Sequence, residues 1–172
     1  MARNVEIKAR VENIEDLERA VEKISDTEAS EIFQDDTFFN CSRGRLKLRR
    51  FSQQQGELIF YQRADQLEPA ESFYLRSPTN DSASLLETLR HAYGEAGQVI
   101  KNRNLYFVGR TRIHVDRVKG LGSFVELEVV LEDDENVEVG VEEADRIMHQ
   151  LGIDESQRVE GAYVDFIRQV DS

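Results

Sequence analysis

The sequence predicts an α+β fold, in which an antiparallel β-sheet packs against amphipathic helices. Several segments alternate apolar and charged residues with the period of two that is typical of strands. Four other segments repeat apolar residues at helical spacing. The chain has 172 residues, only two prolines and no internal repeat. We therefore expect residues 1–172 to form one domain with a substantial core.

The first strand is predicted over residues 4–11. Because successive side chains of a strand point to opposite faces of its sheet, this segment has one apolar face and one charged face. The charged face carries both signs. The apolar face comprises Val5, Ile7, Ala9 and Val11, and the other face comprises Asn4, Glu6, Lys8 and Arg10.

Three or four helices are predicted. Asn13 can accept a hydrogen bond from the first turn of one helix, and Ser82 can cap a second that stops at Gly94. A third helix is expected over residues 141–151 and the last over residues 159–167. Their apolar stripes are formed by Ile14, Leu17, Val21 and Ile24, by Leu85, Leu86 and Leu89, by Ala144, Ile147, Met148 and Leu151, and by Tyr163, Phe166 and Ile167.

The later strands sort their charges by sign. Residues 45–49 form a basic strand, with two leucines opposed to three cations. Residues 123–131 form a strand whose polar face carries only acidic charges. Between them, residues 105–118 alternate over a long stretch, in which Leu105 and Phe107 are expected on the face opposite the charged residues. The charged residues of these segments are Arg45, Lys47, Arg49, Arg110, Arg112, His114, Asp116, Glu126 and Glu128.

The charged faces allow two arrangements. In the first, the sheet is open, with one face on the core and the charged face in water. In the second, the sheet closes into a barrel, with the charged faces inside and the apolar faces under the helices. Two observations favour closure: the helices need an apolar surface to cover, and the signs sort by strand instead of mixing as on a solvated face. Periodicity alone leaves both arrangements open.

Converging charged faces would suit a complex of a metal ion with a triphosphate. A triphosphate carries about four negative charges near neutral pH and calls for several Lys and Arg donors. Carboxylates beside those cations would serve as oxygen ligands for Mg²⁺ or Mn²⁺, which in turn bridges phosphate oxygens. Glu126 and Glu128, two residues apart in a strand, present adjacent carboxylates on one face.

Composition excludes several partners. The formal net charge of -12 argues against general nucleic-acid binding, which needs a surplus of Lys and Arg. No apolar run approaches the ~18–20 residues that cross a bilayer, and no apolar signal region is visible. The single cysteine, Cys41, cannot form an internal disulfide. We expect a cytoplasmic protein with a small-molecule partner and neither nucleic acid nor membrane as partner; a homodimer stays open.

Three segments together resemble one family. The segment NVEIK, residues 4–8, resembles the ExExK signature of the CYTH superfamily, the triphosphate tunnel metalloenzymes. These include class IV adenylyl cyclases, thiamine triphosphatases and inorganic tripolyphosphatases. Residues 111–128 are similar to the class IV adenylyl cyclase branch, and residues 162–166 to the last helix of that family. The segments occur in the expected order over nearly the whole chain.

The resemblance implies a closed, eight-stranded antiparallel β-barrel that forms a tunnel for Mg²⁺ or Mn²⁺ and a triphosphate. It implies that Glu6, Glu126 and Glu128 hold the metal, together with Asp116 near the metal or the attacking group. The implied catalytic residues are Lys8, Arg112 and Asp116. The implied substrate-binding residues are Lys8, Lys47, Arg49, Arg63, Lys101, Arg103 and Arg112.

The implied reaction is that of a class IV adenylyl cyclase, from ATP to cyclic AMP and pyrophosphate. A triphosphatase that hydrolyses inorganic tripolyphosphate, thiamine triphosphate or a nucleoside triphosphate needs the same in-line geometry and charge stabilisation, so it stays an alternative. Binding of a triphosphate without turnover is a third. One departure supports that third reading: Asn4 stands where the signature has its first Glu, which removes a negative charge from one corner of the metal site.

Overall fold

The computed structural model describes residues 2–63 and 69–171. A single 3₁₀ turn, Glu155–Gln157, precedes the last short strand. The strands and helices in chain order are β1 (Ala2–Val11), α1 (Ile14–Ile24), β2 (Ser30–Phe39), β3 (Arg45–Arg50), β4 (Gly56–Arg63), β5 (Ala70–Thr79), α2 (Ser82–Tyr93), β6 (Glu95–Val108), β7 (Thr111–Val118), β8 (Gly122–Leu131), α3 (Val137–Gln150), β9 (Arg158–Val159) and α4 (Tyr163–Asp171).

Eight strands form a closed ring. Their order is β1, β8, β7, β6, β2, β3, β4 and β5, and β5 pairs back with β1. The neighbours are antiparallel throughout. The ninth strand, β9, has two residues and pairs with β1 at Lys8 and Ala9. The predicted α+β fold with eight antiparallel strands in a closed arrangement is therefore confirmed.

The helices cover the apolar outer face of this ring. Val5, Ile7 and Ala9 of β1 are buried in one cluster with residues of α1 and α3, whereas α2 packs on the leucines of β3. Fully burying a side chain such as Leu127, which is 0% exposed, contributes about 1.5–3 kcal/mol. Because the apolar faces lie under the helices, the charged faces point into the ring, and the open-sheet arrangement is wrong.

The first two helices begin close to their predicted caps. The side chain of Asn13 accepts a 3.0 Å hydrogen bond from the Asp16 N–H, as predicted. The cap of α2 is Asp81, which accepts a 3.1 Å bond from the Ser84 N–H, so the prediction of Ser82 was one residue late. Ser82 instead lies in the first turn, where its hydroxyl donates 2.8 Å bonds to the carbonyls of residues 52 and 53.

The last two helices differ from prediction by four residues at their start. Helix α3 begins at Val137, because Asn136 caps it by accepting from the N–H of Glu138 at 3.2 Å. Helix α4 begins at Tyr163 and not near residue 159, because residues 158–159 extend the sheet beside β1. None of the helices in the described ranges is long and apolar enough to cross a membrane.

The predicted faces of residues 105–118 were wrong at one end. The chain turns at Gly109, whose φ of 56° suits glycine, so the stretch is a β6–β7 hairpin and not one long strand. The alternation of inner and outer residues does not continue through this turn. Leu105 pairs with His114, and Phe107 pairs with Arg112. Paired residues share a face of the sheet. Leu105 and Phe107 therefore line the interior beside the charged residues.

Candidate active site inside the strand ring

The ring encloses a cavity of about 400 Å³, which is within the usual range of small-molecule sites. Charged side chains from all eight strands of the ring line it. Asp116, which is 0% exposed, lies behind this lining and is bonded to Arg103. The side chain of Arg63 lies outside the described residues. The predicted site residues that line the cavity are Glu6, Lys8, Lys47, Arg49, Lys101, Arg103, Arg112, Glu126 and Glu128.

Strand register places the acidic residues together. Glu128 of β8 lies between Glu6 of β1 and Arg112 of β7, and Glu126 lies between Lys8 and His114. These residues pair directly across the strands, so they share the interior face. Each level of this wall therefore places a carboxylate next to a cation. Arg112 contacts Glu128 at 2.7 Å, and the Lys8 ammonium lies 3.6 Å from Glu126.

One cluster on this wall fits a divalent cation. The donor atoms of His114, Glu126 and Glu128 lie within 4.8 Å of one another. Burial, reinforced by the charge of Arg103, lowers the pKa of His114, which favours the neutral imidazole that a metal binds. Burial alone would raise the pKa of Glu126, but His114 and the cations outweigh it and hold that pKa well below its usual range. Two carboxylates and an imidazole form a suitable partial ligand set.

This cluster overlaps the predicted metal ligands without matching them. It includes Glu126 and Glu128, adds His114, and contains neither Glu6 nor Asp116. Glu6 lies opposite Glu128 across the β1–β8 pair. Asp116 is already engaged by Arg103 through two 2.8 Å hydrogen bonds. Metal roles for Glu6 and Asp116 stay predictions.

The side of the cavity that carries Lys47, Arg49, Lys101 and Arg103 is called the basic wall. It contains a buried carboxylate that was not predicted from the sequence. Asp36, only 1% exposed, accepts two 2.8 Å bonds from Arg49 and one of 3.1 Å from Lys47. Lys101 lies 3.8 Å away. Burial would raise the pKa of Asp36, but these three cations hold it well below its usual range. The only available signal was the alternation of Gln34, Asp36 and Phe38 along β2.

Burial acts in the opposite direction on the two lysines of this wall. It lowers the pKa of Lys47 to about 8, and the neighbouring charge of Arg49 adds to the effect. It also lowers the pKa of Lys101 well below its ordinary value, with a further contribution from Arg103. Buried cations held this close together are poised to gain from an added anion, because an anion would offset both the burial and the mutual repulsion.

Tyr163, at the start of α4, also belongs to this site. The sequence predicted it only as part of an apolar helix stripe. Its hydroxyl donates a 2.8 Å hydrogen bond to Asp116, and its ring centroid lies 4.1 Å from the ammonium of Lys8 and 5.1 Å from that of Lys101. Lys8 also donates a 3.1 Å bond to the carbonyl of Gly161. The segment that begins α4 therefore orients two of the cations predicted to bind phosphate. Its resemblance to the family helix was the one available signal.

Asp116 serves as the counter-ion of Arg103. Burial would raise the pKa of Asp116, but the charge and hydrogen bonds of Arg103 lower it to about 2. The same pairing raises the pKa of Arg103 against the effect of burial. Both groups are therefore charged at neutral pH, and Asp116 orients the guanidinium of Arg103 toward the cavity.

Another part of the cavity wall is apolar. Ile32, Phe51, Ile59, Leu105 and Phe107 all line it, and Phe51 is 40% exposed. Side chains of this kind can contact an uncharged organic group. The lining is therefore divided into a metal-ligand cluster, a set of cations and an apolar region.

Asn4, at the position of the first signature Glu, is 0% exposed. Neither polar atom of its side chain has a hydrogen-bond partner among the described residues, and the same holds for the hydroxyl of Ser72, which lies opposite on β5. Asn4 is outside the metal-ligand cluster. Asn4 therefore lies apart from the three clustered ligands, and its effect on metal binding stays a prediction.

The comparisons with known proteins agree with this fold. The sequence profile of the CYTH domain family matches residues 2–163. The structure of the PH1012 protein from Pyrococcus horikoshii superposes with a TM-score of 0.84 at 23% identity, covering 94% of this chain and 98% of that one. No protein of curated function matches the sequence.

Two further solved structures carry functional descriptions. A proposed adenylate cyclase from Vibrio parahaemolyticus has a TM-score of 0.75 at 20% identity, over 96% of this chain and 97% of that one. A proposed adenylyl cyclase from Hippeastrum, HpAC1, with a dominant triphosphatase activity, has a TM-score of 0.64 at 11% identity, over 99% and 96% of the two chains. At these identities the likeness establishes the fold.

Proposed function

The chain belongs to the CYTH domain family, and from that premise we propose that it is a metal-dependent enzyme that acts on a triphosphate inside the strand ring. The observation that carries the proposal is the meeting of two groups of residues in one cavity. A cluster suited to a divalent cation lies on one wall, and a set of buried cations lies on another. An anion-binding site alone would not need the carboxylates, and a metal site alone would not need the cations.

The proposed metal ligands are Glu126, Glu128 and His114, with Glu6 beside them. When bound, a divalent cation would neutralise phosphate charge and polarise the phosphorus that is attacked. The carboxylates orient this cation, and their neighbours Lys8 and Arg112 offset the negative charge of the cluster.

The cations of the basic wall bind and orient the phosphate chain. Arg49 and Arg103 present rigid guanidinium groups, which suit bidentate contacts to phosphate oxygens. Lys47 and Lys101 add point charges in a buried setting, where a charge interaction is stronger than in water. Fixed donors of this kind stabilise charge that develops in the transition state without reorganising, which is the main means by which proteins catalyse phosphoryl transfer.

We propose ATP as the substrate, with cyclic AMP and pyrophosphate as products, as in class IV adenylyl cyclases. The apolar part of the cavity supports an organic triphosphate, because an inorganic chain would leave these side chains without a partner. In this reaction the Lys8 and Arg112 groups would stabilise charge on the reacting phosphate. Asp116 would hold Arg103 in place.

Hydrolysis is the second candidate. The cations and carboxylates would serve equally well when a water molecule attacks the terminal phosphorus. The triphosphatase activity described for the Hippeastrum protein of the same fold favours this reaction over binding alone. The substrate would then be a nucleoside triphosphate, thiamine triphosphate or inorganic tripolyphosphate.

The experiment compares Glu126→Gln with Glu132→Gln in metal-dependent turnover. Glu126 is in the proposed metal cluster, whereas Glu132 is exposed in the acidic turn before α3, so the same change is made inside and outside the site. We expect Glu126→Gln to lose metal-dependent turnover while its thermal unfolding stays cooperative. Glu132→Gln should retain the activity. Equal activity in the two variants would contradict the assignment of this cluster.

A further inference from the structure

His114 is a buried histidine in the acidic wall, the part of the cavity lining that carries Glu6, Glu126 and Glu128. It lies on the interior face of β7, directly opposite Glu126 on β8, and only 5% of its surface is exposed. Its Nδ1 has no hydrogen-bond partner among the described residues. The Oε1 of Glu126 lies 3.5 Å from this nitrogen. A buried polar atom without a partner is destabilising, so a ligand that reaches this nitrogen would stabilise the site.

A hydrogen bond to Glu126 does not account for this geometry. Such bonds usually have a donor–acceptor distance of about 2.9 Å, and Glu126 is also paired with Lys8 at 3.6 Å. A cation between the imidazole and the two carboxylates would satisfy all three groups at once. The donor atoms lie within 4.8 Å of one another. Octahedral ligands at about 2.1 Å from an ion are about 3 Å apart when adjacent and about 4.2 Å apart when opposite, so small side-chain rotations would complete the set.

We propose that His114 is a metal ligand together with Glu126 and Glu128, and that its nitrogen makes this site select a first-row transition cation, such as Mn²⁺ or Co²⁺, over Mg²⁺. The inference rests on the proposed function in that the cation is the one the proposed reaction uses. Mg²⁺ prefers oxygen ligands and gives up its bound waters reluctantly. Imidazole, in contrast, binds the first-row transition ions increasingly well from Mn²⁺ to Cu²⁺.

The charges around the cluster strengthen this selectivity. Arg112 lies 2.7 Å from Glu128, and Lys8 lies close to Glu126, so both carboxylates are partly neutralised. A hard cation such as Mg²⁺ depends mostly on the negative charge of its site, and this site offers little net charge. Coordination by a neutral nitrogen is not reduced in the same way, so His114 contributes a larger share of the affinity for a transition ion.

The test measures metal binding without any triphosphate, so that it is separate from turnover. Mn²⁺ binding is followed by the electron paramagnetic resonance of the free ion, Co²⁺ binding by visible absorption, and Mg²⁺ by competition with Mn²⁺. The protein is compared with His114→Gln and with His91→Gln, an exposed histidine on α2 that serves as the matched control. His114→Gln should lose at least about tenfold in affinity for Mn²⁺ and Co²⁺, with Mg²⁺ little affected, and His91→Gln should bind as the parent does.

An equal loss for Mn²⁺ and Mg²⁺ in His114→Gln, or no loss for either ion, would overturn the proposal. A second measurement on the unaltered protein covers the case in which His114→Gln fails to fold. The chain has three histidines, and substoichiometric Mn²⁺ should broaden the imidazole proton signals of His114 before those of His91 and His149. Broadening that begins at another histidine, or at none, would overturn the proposal. The two proposals fail in different measurements. Loss of the metal selectivity would be seen in metal binding without a triphosphate, and failure of the proposed function would be seen as absent turnover when a triphosphate is added.

Discussion

The carboxylate of Asp36 accepts two 2.8 Å hydrogen bonds from the guanidinium of Arg49 inside the ring. The same carboxylate contacts Lys47 at 3.1 Å and lies 3.8 Å from Lys101. The protein thus carries an anion of its own among the cations that we propose to bind phosphate. This anion allows three cations to be buried together before a substrate arrives.

Replacing Asp36 tests that role. Asp36→Asn leaves three buried cations without their carboxylate, so we expect the free energy of unfolding to fall by about 3–5 kcal/mol. Tripolyphosphate should restore more stability to this variant than it adds to the unaltered protein, because its charge replaces the one removed. Urea unfolding with and without tripolyphosphate measures both effects.

The control for this variant is Asp35→Asn, the neighbouring residue on the outer face. Asp35 contacts Arg50 at 3.2 Å and is 15% exposed, and a pair of this kind near the surface contributes about 0–1 kcal/mol. Similar losses in the two variants, or equal stabilisation by tripolyphosphate, would contradict a special role for Asp36.

The lowered pKa of Lys47 predicts a pH dependence of triphosphate binding. Since that pKa is about 8, Lys47 loses its positive charge as the pH rises through this value, and affinity for tripolyphosphate should decline. Lys47→Arg keeps its charge at any accessible pH, so its decline should be smaller. The pKa of Lys101 is lowered in the same direction, so part of the decline remains.

Calorimetric titration with tripolyphosphate on both sides of pH 8 measures this difference. Lys119→Arg, in the exposed turn between β7 and β8, is the matched control and should follow the unaltered protein. An identical decline in Lys47→Arg and in the control would show that Lys47 does not contribute the titrating charge.

The pairing of Asp116 with Arg103 predicts a loss of stability in acid. The pKa of Asp116 is lowered to about 2 from its ordinary value of 3.8, so the folded state binds this proton less readily than the unfolded chain. The resulting stability is fully present above the unfolded pKa and is lost as the pH falls from about 4 to about 2. Asp116→Asn should be less stable above this window, should approach the unaltered protein as the pH falls toward 2, and should therefore have a shallower slope in this window. Urea unfolding across the window measures it, and an unchanged slope would contradict the pairing.

The ring and the hydroxyl of Tyr163 can be separated by two substitutions. Tyr163→Phe removes the bond to Asp116 but keeps the ring beside Lys8, whereas Tyr163→Leu removes both contacts. If the ring orients the Lys8 ammonium, KM for the triphosphate should rise more in Tyr163→Leu than in Tyr163→Phe. Hydrogen bonds to charged groups contribute about 1.5–3 kcal/mol, so Tyr163→Phe should mainly lose stability. Equal KM values in the two variants would contradict the orienting role of the ring.

The sequence predicts well the parts of this molecule in which one pattern runs without interruption. The alternation in β1 and in β8 correctly placed Lys8, Glu126 and Glu128 together on the charged faces of their strands, because the opposite positions of each strand stay apolar without a break over residues 5–11 and 125–131. The hairpin at Gly109 breaks that condition. Leu105 and Phe107 were therefore assigned to the wrong face.

Contacts that depend on tertiary structure could not be predicted from the sequence. Asp36 lies in a strand whose second half, from Asp36 to Phe39, is buried on both faces, so its alternation gives little indication of an inner side. The position of His114 beside Glu126 depends on the register of the β7–β8 pair, which is set by the turn between them. Tyr163 reaches Asp116 only because α4 packs against the ring, and no local pattern specifies that contact.

Product analysis tests most directly whether the ring holds a metal-dependent triphosphate enzyme. The purified protein is incubated with Mg²⁺ or Mn²⁺ and, separately, with ATP, tripolyphosphate or thiamine triphosphate, and the products are identified by phosphorus NMR and chromatography. We expect metal-dependent turnover of ATP to cyclic AMP and pyrophosphate; orthophosphate as the product would assign the chain to the triphosphatases instead. No turnover of any of the three compounds with either metal would contradict an enzymatic role.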